Sequence, residues 1–99
     1  AVVGFLYAWH GLDEIQILQM GVDPAWRCQG VGGSLIDGTR EKAQGKALKL
    51  TLEVRVDNSK AIKLYEKTGF FKVGLRKNYY EGKVDGLLMD SLVGATTNK

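Results

Sequence analysis

Glycines cluster where an apolar segment gives way to a helical pattern, and the residues there could bind an anion. Arg27 is followed by Gly30, Gly32 and Gly33, and an apolar helix face comes after them. The first backbone N–H groups of a helix have no partner within it, and the helix dipole places partial positive charge there. Because glycine has no Cβ, a phosphate can approach this backbone closely. Segment 27–33 therefore predicts a pyrophosphate-binding loop.

Two familiar nucleotide-binding motifs do not fit this loop. The phosphate-binding loop of nucleoside triphosphatases needs Gly-Lys-Ser or Gly-Lys-Thr, which the sequence lacks. The dinucleotide-binding fingerprint needs three spaced glycines after a strand and an acidic residue about 20 residues later, and the glycine spacing here differs. The open alternative is a glycine-rich helix start that binds no ligand.

The hydropathy pattern around the loop predicts a mixed α/β fold. Apolar runs and regular alternation indicate strands over 1–9, 14–22, 48–56, 70–80 and 84–93, and helical periodicity indicates helices over 30–44 and 60–68. The order strand, strand, helix, strand, helix, strand, strand is typical of a mixed sheet whose helices are crossover connections.

The same patterns predict which side chains are buried. The strand over 48–56 alternates most regularly, with Lys49, Thr51, Glu53 and Arg55 on its polar face and Leu48, Leu50, Leu52, Val54 and Val56 on its apolar face. The first helix has an apolar face made by Val31, Leu35 and Ala43. Gly21 interrupts an apolar strand and indicates an irregularity there.

Length and charge narrow the class of protein. Ninety-nine residues fit a single domain, 1–99, and 44% of them are hydrophobic. The net charge is +3, but the basic residues form no clustered arm, so we expect no direct nucleic-acid binding. No apolar run reaches the roughly 18 residues of a membrane span, and no secretion signal is visible.

The single cysteine indicates the compartment. Cys28 cannot form an internal disulfide, which fits a reducing environment and a cytoplasmic location. No His, Cys, Asp or Glu residues have metal-ligand spacing. We therefore expect no metal and no membrane association, and a monomer or weak dimer in solution.

Two blocks of sequence resemble one family. Arg27-x-x-Gly30-x-Gly32 resembles motif A of the GNAT superfamily of N-acetyltransferases, whose pattern is Arg/Gln-x-x-Gly-x-Gly/Ala. Farther along, the chain is similar to the RimI-type N-terminal protein acetyltransferases in Leu-Glu-Val-Arg at 52–55, Asn58, Ala61, Leu-Tyr-Glu at 64–66, Gly69, Phe70, Gly74, Arg76, Asn78, Tyr79, Tyr80, Asp85 and Met89. The resemblance covers most of the chain, from about residue 4 to about residue 93.

The resemblance implies a fold and an activity. The fold would be the GNAT acyl-CoA N-acyltransferase fold without the family's first strand and first two helices. The activity would be transfer of acetyl from acetyl-CoA to the α-amine of the N-terminal alanine of a ribosomal protein, by direct attack in a ternary complex. The alternatives are a GNAT enzyme that acetylates a small amine or a lysine, and a catalytically silent CoA-binding module.

The resemblance also implies the cofactor-binding residues. The backbone of Met20, Gly21 and Val22 would pair with the pantetheine arm of acetyl-CoA. Asn58 matches an asparagine that contacts the cofactor, and its place before the second helix also suits a helix cap. The pyrophosphate would lie against Arg27, Cys28, Gln29, Gly30, Val31, Gly32 and Gly33.

Two residues match the family's proton-transfer groups. Glu53 would be the general base, and because a carboxylate is a weak base toward an ammonium it would act through water. The alternative for Glu53 is a surface carboxylate paired with Lys49 or Arg55. Tyr65 would be the general acid that protonates the departing CoA thiolate, and its alternative is a core aromatic residue with a satisfied hydroxyl.

The last hairpin would close over the acceptor. Tyr79 and Tyr80 resemble the family's acceptor-binding residues, with cross-strand packing as the alternative. Adjacent residues in a strand point to opposite faces, so we expect only one of the two to face the acceptor. Gly86 stands where relatives often carry Ala, and we expect this difference to have no effect.

Overall fold

The computed structural model describes residues 4–26, 30–80 and 82–93. These residues form a short 3₁₀ turn, Pro24–Trp26, and seven longer elements in the predicted order, which is thereby confirmed. The elements are β1 (Gly4–His10), β2 (Glu14–Val22), α1 (Val31–Ala43), β3 (Lys49–Arg55), α2 (Ser59–Lys67), β4 (Phe71–Tyr80) and β5 (Val84–Leu92).

The five strands form one mixed sheet with the order β1-β2-β3-β5-β4. Only the β2–β3 pair is parallel, and α1 is the crossover that connects these two strands. A second crossover, α2, leads from β3 past β5 to the edge strand β4. Both crossovers run in the same direction across the sheet, and right-handed connections then put both helices on one face.

The parallel pair is short. β2 and β3 share only three residue pairs, from Glu14 opposite Lys49 to Gln16 opposite Thr51. Beyond these pairs the strands separate, while β2 stays paired with β1 and β3 with β5. The sheet therefore contains a wedge between the second half of β2 and the second half of β3.

The irregularity that we expected at Gly21 lies elsewhere. Tyr7 pairs with Gln19 and the next residue, Ala8, pairs with Ile17, so Leu18 has no partner in β1 and is 60% exposed. Gly21 pairs regularly with Phe5, and a Cβ built on it would lie 2.6 Å from Phe5 Cε1. The glycine is thus needed to make room for an aromatic ring, and the prediction of an irregularity there was wrong.

The core lies between the sheet and the two helices. It consists of Ile17, Ile36, Ala43, Leu50, Leu52, Val54, Phe70, Leu87 and Met89. Three of the five residues predicted on the apolar face of β3 are buried. Leu48 and Val56 are exposed because they lie just outside the strand, in the turns at its two ends.

The buried face of α1 is centred differently from the prediction. Ala43 is completely buried as expected, but so is Ile36, which was not among the predicted residues of this face. Val31 and Leu35 are half-buried because they pack over β1 near the side of the sheet, where a Cβ on Gly4 would lie 2.9 Å from Val31 Cγ1.

A buried arginine connects the helices to the sheet. Arg40 is 8% exposed, and its Nη2 donates to the backbone carbonyl of Thr68 at 2.6 Å and to Ser91 Oγ at 2.7 Å. Its Nη1 lies 3.2 Å from Asp37 Oδ1. Thr68 follows the last turn of α2, where unpaired carbonyls and the helix dipole favour a cation. One side chain thereby ties α1, the end of α2 and β5 together.

Two further observations concern the described residues alone. No helix among them is both long and apolar enough to cross a membrane. No group of three or more His, Cys, Asp or Glu side chains within the same residues is arranged to hold a metal ion.

The contacts of Arg40 predict a large loss of stability in Arg40→Met. The variant leaves a helix-terminal carbonyl and a buried hydroxyl without their donor, so we expect the free energy of unfolding to fall by about 2–4 kcal/mol. Lys42→Met, at an exposed position of the same helix, is the control. The stability of both variants is measured by urea unfolding, monitored by circular dichroism. Equal unfolding midpoints for the two variants would show that the contacts of Arg40 do not stabilise the fold.

Candidate active site

The start of α1 has the geometry of an anion site. Gly30 is the N-cap, with a left-handed φ of 83° and no side-chain hydrogen bond to the helix. The N–H of Ser34 is bonded to Gly30 O at 2.9 Å, so the N–H groups of the three residues between them precede the helical ladder. Three predicted loop residues, Arg27, Cys28 and Gln29, lie outside the described residues.

The glycines of α1 do different things. A Cβ on Gly32 would lie 3.0 Å from Leu64 Cδ2, so this glycine lets the two helices approach each other. A Cβ on Gly33 would meet only Thr68 Cγ2, at an ordinary 3.8 Å, and one on Gly30 would meet nothing within 4 Å. Gly32 therefore has a packing role that the motif alone did not indicate.

The wedge opens beside this helix start. Met20, Gly21 and Val22 pair with β1 on one side and lie in the part of β2 that has separated from β3 on the other. β2 then leads through Pro24–Trp26 toward α1. A Cβ on Gly32 would lie 3.8 Å from Met20 Cε, which shows how closely the end of β2 approaches the helix start. The fold thus brings the predicted channel residues next to the described part of the predicted loop.

Glu53 lies on the separated half of β3, and its side chain is only 14% exposed. Its Oε1 is 3.4 Å from Arg76 Nη2, on β4. Its Oε2 is buried, and no described residue donates a hydrogen bond to it. A carboxylate this deeply buried differs from the surface carboxylate, paired with Lys49 or Arg55, that was the alternative.

The two ion pairs considered for that alternative are not formed. Lys49 Nζ lies 3.2 Å from Asp90 Oδ2 and 3.9 Å from Glu14 Oε1. The hydrogen bond to Asp90 raises the pKa of Lys49 above its ordinary value. Arg55 makes a two-pronged contact with Asp57, with both N–O distances 3.1 Å.

Tyr65 is a half-buried residue of α2 whose ring packs edge-on against Phe70, with centroids 5.7 Å apart. Burial raises the pKa of Tyr65 above 10, and the nearby Tyr80 hydroxyl adds to this effect. The phenol is therefore protonated throughout the neutral range. Asn58 Oδ1 accepts from the Ala61 N–H at 3.2 Å, which makes Asn58 the side-chain cap of α2.

The tyrosine pair of β4 does not follow the alternation that we expected. Arg76 pairs with Gly86 and Tyr80 with Val84, so three residues of β4 face a single residue of β5. Asn78 has a φ of 49°, and its N–H donates to Asp85 Oδ1 at 2.8 Å. This bulge turns the rings of Tyr79 and Tyr80 toward each other, with centroids 5.1 Å apart, and the expectation of opposite faces was wrong.

Arginines lie over both tyrosines, and one of them, Arg76, also contacts the Glu53 carboxylate. The Arg76 guanidinium lies 4.7 Å from the centroid of Tyr79, and that of Arg55 lies 5.5 Å from the centroid of Tyr80. Burial raises the pKa of Tyr80, as do the nearby Glu53 carboxylate and Tyr79 hydroxyl. Glu53 thus has one cation, Arg76, beside one of its oxygens and one phenol, Tyr80, close by.

Sequence reasoning missed two features of this cluster. Arg76 was placed in the last hairpin but not against Glu53, and Gly86 was dismissed although its Cβ would overlap Glu53 Oε2. Both contacts join residues more than twenty positions apart, across strands that contain bulges. Finding these contacts from the sequence would have required the pairing register of β3, β4 and β5.

Comparison with known proteins agrees with this arrangement. The model of the acetyltransferase (GNAT) family matches residues 1–70. The [ribosomal protein bS18]-alanine N-acetyltransferase of Escherichia coli K12 is 37% identical over 82 residues, which cover 79% of this chain and 55% of the relative. The N-alpha-acetyltransferase RimI of Mycobacterium tuberculosis is 42% identical over 67 residues, which cover 68% of this chain and 41% of that protein.

A solved structure shares the architecture. Ard1 from Thermoplasma volcanium superimposes with a TM-score of 0.87 at 35% identity, covering 94% of this chain and 64% of that one. This chain therefore spans little more than half the length of the E. coli relative and about two thirds of the Ard1 chain. The matched residues and the shared sheet establish that the chain belongs to the GNAT family of acetyltransferases, where its relatives include enzymes of the RimI type.

Proposed function

We propose that the protein transfers an acetyl group from acetyl-CoA to the N-terminal α-amine of a protein, with alanine as the first residue of the acceptor. The observation that carries the proposal is the Glu53 carboxylate, held with 14% of its side chain exposed on the separated half of β3, 3.4 Å from Arg76 and close enough to Tyr80 to raise the pKa of that phenol. The E. coli relative, named for an alanine N-terminus of a ribosomal protein, supports this choice of acceptor. A ribosomal-protein acceptor would place the reaction in the cytoplasm.

The residues present fit acetyl-CoA. The N–H groups of Val31, Gly32 and Gly33 at the start of α1 would hold the pyrophosphate, since glycines and a helix N-terminus suit a phosphate group. The main chain of β2 beside the wedge would hold the amides of the pantetheine arm. When bound, acetyl-CoA supplies the thioester whose acetyl group is transferred.

Glu53 would take the proton from the acceptor amine, directly or through water. Deprotonating an α-amine with a pKa of about 7.7–8.0 at pH 7 costs about 1 kcal/mol, against about 4.6 kcal/mol for a lysine with a pKa of about 10.4. One carboxylate of this kind is therefore better matched to an N-terminal amine than to a lysine side chain. The amine would then attack the thioester directly, within a complex that holds both substrates.

Tyr65 would supply the proton that the departing thiolate needs. Its raised pKa keeps the phenol protonated at neutral pH, which is the state a general acid must have before the reaction. Tyr79 is exposed and Tyr80 is half-buried beside Glu53, so the pair would contact the peptide near its reacting end.

The direct test measures binding and turnover together. We expect the chain to bind acetyl-CoA in calorimetric titration and to acetylate a peptide that begins with alanine, detected by mass spectrometry. Gly33→Glu should abolish both, because it puts a carboxylate where the pyrophosphate belongs, at a position with steric room. An acidic residue in the first turn does not harm a helix, so the variant should fold.

Gly38→Glu is the matched control, since it makes the same change on the same helix where a Cβ meets nothing within 4 Å. It should bind acetyl-CoA as the unmodified chain does. Binding without acetylation would mean a silent module, and acetylation of a peptide's lysine but not of its N-terminus would mean a different acceptor. Unchanged binding in Gly33→Glu would contradict the assignment of the α1 start.

Glu53→Gln should lower kcat by roughly 10²–10⁴ at neutral pH, because it removes the base and nearly preserves the shape of the side chain. Binding of acetyl-CoA should stay within about twofold, since Glu53 is not among the residues proposed to hold it. Glu66→Gln, at an exposed position of α2, is the control. Activity of Glu53→Gln close to that of the control would show that Glu53 is not the base.

Tyr65→Phe should lower kcat by a similar factor without loosening the core, because phenylalanine keeps the edge contact with Phe70. The raised pKa adds a prediction about pH. Because the pKa of the phenol lies above its ordinary value, kcat should show no decline from this group between pH 7 and about 9. A decline centred near pH 8 that vanishes in Tyr65→Phe would contradict the burial of this hydroxyl.

A further inference from the structure

We propose that Gly86 is a positioning residue for Glu53, because the space left by its missing side chain is the space that the Glu53 carboxylate occupies. Oε2, the oxygen that lies over Gly86, would be the one that accepts the proton. This inference rests on the proposed function, in which Glu53 is the base.

The register of the sheet places Gly86 at the centre of the cluster. It is a buried residue of β5, directly opposite Arg55 of β3 and Arg76 of β4. Glu53 is paired with Leu88, two residues farther along β5, so its side chain reaches diagonally back along the same face. Any side chain at position 86 would point into the gap between the two arginines.

Glycine at position 86 leaves open the space that the Glu53 carboxylate fills. A Cβ built on Gly86 would collide with Glu53 Oε2 and lie 3.1 Å from Cδ and 3.2 Å from Cγ. The backbone of Gly86 does not have the positive φ that would itself require glycine. A side chain here would therefore meet the Glu53 carboxylate, and the backbone conformation itself would accept it.

The two carboxylate oxygens are not equivalent. Oε1 faces the Arg76 guanidinium at 3.4 Å, whereas Oε2 is buried and accepts no hydrogen bond from any described residue. A buried acceptor without a donor costs free energy, so such an atom in a folded protein calls for an explanation. Use as the proton acceptor is such an explanation, since a proton would satisfy this oxygen during the reaction.

Alanine at position 86 would displace the carboxylate without unfolding the sheet. The overlapping atom is the far end of a flexible side chain, so the carboxylate can rotate away while the backbone stays in place. A misplacement of about 1 Å in a reacting group can cost on the order of 10² in rate. We therefore expect Gly86→Ala to lower kcat by about 10²-fold and to leave the affinity for acetyl-CoA within about twofold.

The matched control is Gly38→Ala, on α1, where an added Cβ meets nothing within 4 Å. It should keep the kcat of the unmodified chain. A Gly86→Ala variant with the same kcat as Gly38→Ala would overturn the proposal. Thermal unfolding of both variants shows whether a loss of activity reflects a loss of fold.

A double-mutant cycle tests whether Gly86 acts through Glu53. If it does, Gly86→Ala should have no further effect on kcat in the Glu53→Gln background. The same loss in both backgrounds would mean that Gly86 acts through the fold, and would overturn the proposal. If Glu53→Gln alone keeps full activity, the proposed base is wrong and this inference falls with it. An inactive Glu53→Gln with a fully active Gly86→Ala overturns the inference alone.

A measurement independent of turnover follows the carboxylate itself. In ¹³C-labelled protein the Glu53 carboxyl resonance should shift in Gly86→Ala and stay in place in Gly38→Ala. A Glu53 resonance that is identical in the two variants would show that the carboxylate has not moved, and would overturn the proposal whatever the kinetics.

Discussion

The site depends on one constraint in the sheet, which is that β2 and β3 are parallel neighbours joined by only three residue pairs. Because they separate after Gln16 and Thr51, the second half of β2 lies beside a wedge and Glu53 lies on the strand at its other side. The start of α1 follows β2 and so lies near the same opening. A fully paired β2 and β3 would close the space in which a cofactor could meet a carboxylate.

So short a junction has to be held by other contacts. Lys49 contacts Glu14 across the parallel pair and Asp90 on β5, which links three neighbouring strands at the closed end of the wedge. These side chains are partly exposed, so the main chain contributes as well: the Leu48 N–H donates to Asp13 O at 2.7 Å. On the helical face Arg40 ties α1 and the end of α2 to β5. The wedge is therefore an opening within a sheet that side-chain contacts stabilise on both faces.

The order of elements could be predicted from the sequence because each element has its own hydropathy period, and β3 buries Leu50, Leu52 and Val54 as alternation requires. The arrangement within the site could not, because it depends on register. Three features follow from pairings between separate strands. They are the bulge at Leu18 rather than at Gly21, the contact between the Tyr79 and Tyr80 rings, and the position of the Glu53 carboxylate over Gly86. A period in one segment carries no information about such pairings.

The electrostatics of the cluster bear on which amine the proposed reaction would use. Arg76 lies beside Glu53 Oε1 and partly balances its charge, and Arg55 approaches the same group of side chains from the other side. An incoming ammonium therefore gains less attraction here than it would from an isolated carboxylate. A site that attracts an ammonium weakly is better suited to an amine that loses its proton at low cost. A lysine is less suitable, because its deprotonation at pH 7 costs about 3–4 kcal/mol more than that of an α-amine. The charge balance around Glu53 and the acidity of an N-terminal α-amine thus favour the same acceptor.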